Sequence, residues 1–301
     1  MSPLFTIFAT IPRRPANPII ENGGGKVKLQ GKIAFLTGAG SGLGRATARL
    51  FAQEGAIVIA ADIDLAGAQT TIKDLPTAAK TEAAKLDVAD SQAVNDLIGD
   101  VIARHGRLDI LVNYAGIAWG SKEEEQRFNR MTQAIFSEIT ATGKATTQFD
   151  LFAQMTDEEF DRVISVHILG TFYCMRAVIP TMLRQGQGVI INCASSGAFF
   201  SRPGTPHHYC AAKAGIIGLT RAAATELSAR GLRVNAISPG TIATAMTDVI
   251  PRPIAEMMLQ QVPMRRLGSP DDVAKTALFL AADDSAYYAG QSLNPNGGLH
   301  Y

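Results

Sequence analysis

The stretch HHYCAAK, residues 207–213, places a tyrosine and a lysine four positions apart. On a helix, Tyr209 and Lys213 share one side, a turn apart. A free phenol has a pKa of about 10 and is a poor base at neutral pH. An adjacent ammonium favours the phenolate and lowers that value by roughly 1 to 3 units. The pair is therefore either surface decoration or an acid–base catalyst for proton transfer at an oxygen. Its surroundings must decide.

A second stretch, TGAGSGLG at 37–44, follows the apolar run KIAFLTG and precedes a helix with Leu43, Ala46, Leu50 and Phe51 on one face. Between a strand and a helix, such a turn can cradle a phosphate with backbone N–H groups. Gly38 permits the tight turn, Gly42 lets the backbone approach a pyrophosphate, and Gly44 lets helix and strand pack closely. Ser41 and Leu43 complete the turn. Asp62 closes the next strand, where a carboxylate accepts hydrogen bonds from ribose hydroxyls and repels a 2′-phosphate. Ser41 lies in the turn and Ile63 follows Asp62, so neither position offers a cation to offset that charge. The expected cofactor is NAD.

The elements that must position these residues alternate. Strands are expected at 32–38, 56–62, 82–87 and 108–116, with helices at 42–54, 64–74 and 90–105 between them. The alternation stalls over 117–155, where Phe128, Met131, Ile135 and Ile139 mark an amphipathic helix in a polar setting. It resumes with a long helix at 157–184, a strand in GVIINCAS, a helix at 207–229 and a strand in LRVNAIS. A loop and helix at 239–263, a helix from Pro270 and a final strand in GQSLNP complete the pattern. Seven strands in this order predict one α/β domain, 31–301, with a parallel sheet covered on both faces and a helical insert at about 117–155. Residues 1–30, rich in Pro and Gly and ending near Gly23-Gly24-Gly25, read as a flexible arm. Arg13-Arg14 follows the short apolar stretch instead of preceding it, the wrong order for a signal peptide.

The bulk numbers exclude several classes. Among 301 residues, 28 Lys and Arg balance 27 Asp and Glu, so there is no basic excess for nucleic acid. No uninterrupted apolar run approaches the roughly 18 residues of a membrane span. The three cysteines, Cys174, Cys193 and Cys210, are too scattered for a zinc site or a disulfide framework and suit a reducing compartment, hence a cytoplasmic protein.

Taken together, TGAGSGLG, NYAG at 113–116, Ser196, YCAAK and SPGTIAT at 238–244 resemble the classical short-chain dehydrogenase/reductases. The resemblance covers about 32–298 and implies a Rossmann-type, doubly wound sheet. It implies that Asp87 and Val88 hold adenine, and that Asn113, Ala115 and Gly116 form the turn beside the cofactor ribose. Pro239, Gly240, Ile242 and Thr244 would fix the nicotinamide amide. Ser196, preferred to Ser195 because it keeps the family's serine-to-tyrosine spacing, would hold the substrate oxygen. Tyr209 would act as general acid/base, and Lys213 would also hold the nicotinamide ribose.

One position departs from the pattern. His167 stands where the family's long helix usually carries an asparagine that holds a proton-relaying water. A histidine can donate and accept, but it is bulkier and ordinarily charges near pH 6.5. It is either a relay or a packed side chain. Ile117, Trp119, Ala198, Phe199, Phe200, Ile242, Met246, Val249 and Ile250 flank the catalytic positions and suit an apolar substrate.

The reading at this stage is an NAD-dependent dehydrogenase/reductase of apolar, including cyclic, secondary alcohols and ketones. It needs no metal, and the resemblance implies a homo-oligomer, dimer or tetramer. The alternatives are an NADP-dependent ketone or oxoacyl reductase and a dinucleotide-binding sensor without turnover.

Overall fold

A computed structural model describes residues 27–73, 75, 81–201, 204–244 and 259–300. Its seven strands are β1 (Ile33–Thr37), β2 (Ile57–Asp62), β3 (Glu82–Lys85), β4 (Ile110–Asn113), β5 (Gly188–Cys193), β6 (Leu232–Ile237) and β7 (Ser292–Leu293). All pair in parallel, in the order β3-β2-β1-β4-β5-β6-β7. Every residue of β1, β4 and β5 is buried. Runs such as IAFLT and ILVN carry no polar face because helices cover both sides of the sheet.

On one side, α1 (Gly42–Gln53) brings Ala48 and Phe51 against β1, alongside Val273 and Ala277 of the last helix. On the other, α3 (Ser91–His105) contributes Val94, Ile98 and Val101 to a second apolar layer. Asp90 caps α3 by accepting from the N–H groups of Gln92 and Ala93, and Gly106 ends it in the left-handed region. The short α2 (Leu65–Ile72) follows β2.

The long helix expected at 157–184 is present, with one irregularity. It runs as α6 (Asp157–Ile164), a π turn over Ser165–Leu169, and α7 (Gly170–Gln185). The Gly170 N–H reaches back to the Ser165 carbonyl, five residues away, so one extra residue is accommodated around His167. By length and composition the 157–185 segment could cross a bilayer. Here Val166, Cys174, Met175, Val178 and Met182 are buried in the same layer as α3, the packing of a core helix.

The insert consists of α4 (Lys122–Thr142) and a single turn, α5 (Leu151–Gln154). Helix α8 (His207–Leu227) carries Tyr209 and Lys213, and α9 (Pro270–Ala281) opens on a Ser269–Asp272 capping box. Packing begins before the expected boundary at residue 31. Leu29 is buried and donates its N–H to the Glu54 carbonyl, and Lys28 pairs with Asp284 at 2.6 Å. The rest of the arm, its glycine hinge, and Met246, Val249 and Ile250 lie outside the described residues.

The strand order reverses between β1 and β4. This leaves a crevice over the carboxyl ends of the strands, where α/β sheets take their ligands.

Candidate functional site

The crevice is a cavity of about 430 Å³. Its floor is the turn after β1. Gly38 has φ +64, and a Cβ there would sit 2.8 Å from the backbone of Tyr114 and Ala115, so only glycine fits. At Gly44 a Cβ would stand 2.1 Å from the Gly38 carbonyl, which is why α1 can start directly under the turn. Gly38, Ser41, Gly42, Leu43 and Gly44 all line the cavity, at the amino end of a twelve-residue helix.

Asp62 ends β2 at one extremity of the cavity. Its carboxylate accepts from the Gly40 N–H at 2.7 Å and the Asp64 N–H at 2.9 Å, which fixes it in place. Ile63 and Asp87-Val88 continue the wall. Arg45, the cation that directly follows the glycine turn, is spent elsewhere. Its guanidinium donates to the Gly40 carbonyl and, at 3.1 Å, to the Thr71 hydroxyl, bracing the turn from outside the cavity lining. Among the described residues the basic side chains lining the cavity are Lys213 and Arg162, and Arg162 lies 3.7 Å from Asp87. Arg162 escaped the sequence reading. It stands one helical turn before Val166, which also lines the cavity, on the helix that carries His167.

At the opposite extremity, Tyr209 and Lys213 share the inner face of α8, as their spacing predicts. The Lys213 Nζ lies 5.5 Å from the centre of the Tyr209 ring. It donates to the Cys193 carbonyl at 2.6 Å, so the end of β5 pins it, and it is only 4% exposed. Ala115 and Gly116 after β4, and Pro239, Gly240, Ile242 and Thr244 after β6, complete the wall.

Three expected site residues have placements of their own. Of the two serines, Ser195 lines the cavity, and Ser196 sits next to it at the start of the following turn. Strand β5 ends at Cys193, and a 3₁₀ turn over Ser196–Ala198 follows, with Ser195 as the extended residue before it. The Ser195 hydroxyl accepts from the Gly197 N–H at 3.1 Å, while Ser196 ties its own N–H to the Pro239 carbonyl at 2.9 Å. A Cβ placed on Gly197 would lie 3.6 Å from both the Ser195 Oγ and the Tyr209 ring, so these two groups flank the same glycine.

Asn113 is also behind the wall. It is the last residue of β4, and its amide donates to the Asn192 side chain at 2.9 Å, which in turn donates to Thr220 at 3.0 Å. This buried polar chain ties β4, β5 and α8 together beneath the cavity.

His167 does line the cavity, but it does not charge near pH 6.5. It is 1% exposed, its Nε2 lies 2.8 Å from the Ile117 carbonyl and 3.1 Å from the Ile117 N–H, and its ring meets Tyr209 edge-on at 5.5 Å. Burial, with the Lys213 charge nearby, pushes its pKa down to about 3. The imidazole is therefore neutral at working pH. Its Nδ1 is buried with no hydrogen-bond partner among the described residues.

These residues fit a nicotinamide dinucleotide: a glycine turn at a helix start, a carboxylate at one end, and a tyrosine–lysine pair at the other. The comparisons agree. A family model described as short chain dehydrogenase matches residues 32–254. The chain is 37% identical to the 3-oxoacyl-[acyl-carrier-protein] reductase FabG of Thermotoga maritima, over 91% of this chain and 99% of the relative. It is 35% identical to the (2S)-[(R)-hydroxy(phenyl)methyl]succinyl-CoA dehydrogenase subunit BbsD of Thauera aromatica, over 90% and 97%. Among solved structures, levodione reductase superposes with a TM-score of 0.77 at 30% identity, covering 90% of this chain and 98% of that one. The chain belongs to the short-chain dehydrogenase family, oxidoreductases that bind a nicotinamide dinucleotide.

Proposed function

We propose that the protein is an NAD(H)-dependent dehydrogenase/reductase of apolar secondary alcohols and ketones, cyclic ones included. The observation that carries this reading is one cavity with Asp62 at one end and Tyr209, Lys213 and Ser195 at the other. When bound, the nicotinamide supplies or accepts the hydride. The protein's own side chains handle the proton. In the oxidising direction the Tyr209 oxygen takes the proton of the substrate hydroxyl, and in the reducing direction it returns it to the carbonyl oxygen. The Lys213 ammonium, immobilised on the Cys193 carbonyl, stabilises negative charge on that oxygen. The Ser195 hydroxyl holds the substrate oxygen and polarises the carbonyl. Gly38, Gly42 and Gly44 seat the pyrophosphate, Asp62 the adenosine ribose, and Asp87 and Val88 the adenine. Ala115, Gly116, Pro239, Gly240, Ile242 and Thr244 hold the other half of the cofactor.

The NAD preference rests on Asp62 and on the engagement of Arg45 behind the turn. The acyl-chain and acyl-CoA relatives favour a second reading, reduction of a 3-oxoacyl thioester by the same residues. Phe160, Leu169 and Phe172 stand exposed along the α6–α7 helix, an apolar strip that supports a homo-oligomer.

Fluorescence titration with NADH and NADPH tests the cofactor without knowledge of the substrate. NADH should bind at least about 10-fold more tightly. A preference for NADPH would overturn the role given to Asp62. Turnover of cyclohexanone against acetoacetyl-coenzyme A then separates the two substrate readings.

A further inference from the structure

The first turn of α8, His207 to Cys210, carries the catalytic tyrosine yet lacks an ordinary cap. Its N-cap is Pro206, with no side-chain hydrogen bond to the open N–H groups. An uncapped first turn tends to fray, which is unsuited to a phenol that must be held in register.

What holds this turn is the insert. His208 and Glu124 are both buried, at 0% and 2% side-chain exposure, and the His208 Nε2 lies 2.8 and 3.0 Å from the two Glu124 oxygens. Glu124 is fixed in turn by the Gly120 N–H at 2.7 Å and by Ser121, which caps α4 by accepting from the Glu124 N–H at 2.9 Å. Ser121 donates to Glu159 of α6 at 2.5 Å, and Arg127 pairs with the same carboxylate. Phe152 of α5 meets the His207 ring edge-on at 4.7 Å. Cys210 faces a second cavity of about 810 Å³ that Phe149 and Phe152 also line. Three of the four residues in the turn therefore face the insert, and the fourth, Tyr209, faces His167 and the cofactor cavity.

A buried polar contact of this kind is a poor source of net stability because desolvation offsets its attraction. Its better-attested use is to select one geometry. We propose that Glu124 is a positioning residue for Tyr209, with the insert bracing the catalytic turn through the Glu124–His208 contact. This rests on Tyr209 being the acid–base group.

The test uses full-length Glu124→Ala and Glu124→Gln, with Tyr209→Phe in parallel. The readouts are hydrogen exchange, NADH affinity, and kcat and KM with whichever of cyclohexanone or acetoacetyl-coenzyme A the wild type reduces. In Glu124→Ala, kcat should fall about 100-fold while KM and NADH affinity stay within about threefold. Faster exchange should be confined to the peptide that spans 205–213. Glu124→Gln, whose amide oxygen still accepts from His208, should recover most of kcat. Unchanged kcat in Glu124→Ala, or faster exchange spread over the whole domain, overturns the brace. If Glu124→Ala does not fold, His208→Asn is read against the same criteria. An active Tyr209→Phe would instead overturn the acid–base reading. An inactive Tyr209→Phe beside a fully active Glu124→Ala would remove the brace alone.

Discussion

The cofactor cavity and the insert lie on either side of the first turn of α8, and they are built from different materials. The cavity is backbone and glycine set on a sheet buried on both faces, with Gly38 and Gly44 pressed against main-chain atoms. The insert is held by polar side chains taken out of water: Glu124 with His208, and Glu159 with Arg127 and Ser121. A glycine cradle tolerates almost no added volume but does not depend on any distant partner. A buried polar scaffold depends on every partner being present, since removing one leaves the other group unpaired. Damage to the first region should abolish cofactor binding, and damage to the second should spare it.

The largest effect expected on cofactor affinity is that of Gly44→Val. Its side chain has no room beneath the Gly38 carbonyl, and NADH affinity should fall at least about 100-fold. Retention of NADH affinity, measured by fluorescence titration, would mean the turn does not carry the pyrophosphate. Next in size is the serine. Ser195→Ala should lower kcat about 100-fold with NADH binding intact, whereas Ser196→Ala, whose structural contribution is a backbone N–H, should stay within about threefold. The reverse outcome would restore the sequence-based choice.

The smallest effect concerns His167 and is read in stability. Its folded pKa of about 3 lies below the unfolded value of about 6.5. Above pH 6.5 both states are neutral and nothing is lost. As pH falls from 6.5 towards 3 the unfolded chain takes up a proton that the folded one refuses, and stability drops by about 1.4 kcal/mol per pH unit. His167→Asn should flatten urea-unfolding stability over that window by about one proton, and should leave the activity profile between pH 6 and 8 unshifted. A shifted activity profile would mean that His167 charges in the working enzyme.

How much was legible in the sequence follows the same division. The glycine turn, Asp62, Tyr209 and Lys213 are short-range patterns whose partners lie within a turn or at the end of a strand, and the structure brings them together as read. Seven strands in alternation with helices were equally readable, because strands buried on both faces are uninterrupted apolar runs. Which of the two adjacent serines faces the cavity depends on where β5 stops and a 3₁₀ turn begins, which spacing alone does not settle, and the paired alanine variants decide between them. That the Asn113 side chain joins a polar chain inside the sheet is not visible from the NYAG motif, because its partner Asn192 lies on another strand. In the insert, Phe128, Met131, Ile135 and Ile139 mark a helix by their apolar stripe. The structure places that helix at 122–142 and buries Glu124 and Thr132, while the stripe itself is only half-buried. A glutamate on a polar helix gives no local sign that its partner is a histidine 84 positions away.

The account turns on Tyr209 as the group that moves the proton, and Tyr209→Phe tests it most directly. Turnover and NADH affinity should be measured on the same preparation. The account predicts that kcat falls by about 1,000-fold while NADH affinity stays within about twofold of wild type. A variant that keeps a tenth or more of its turnover would contradict it, because the proton would then have another route.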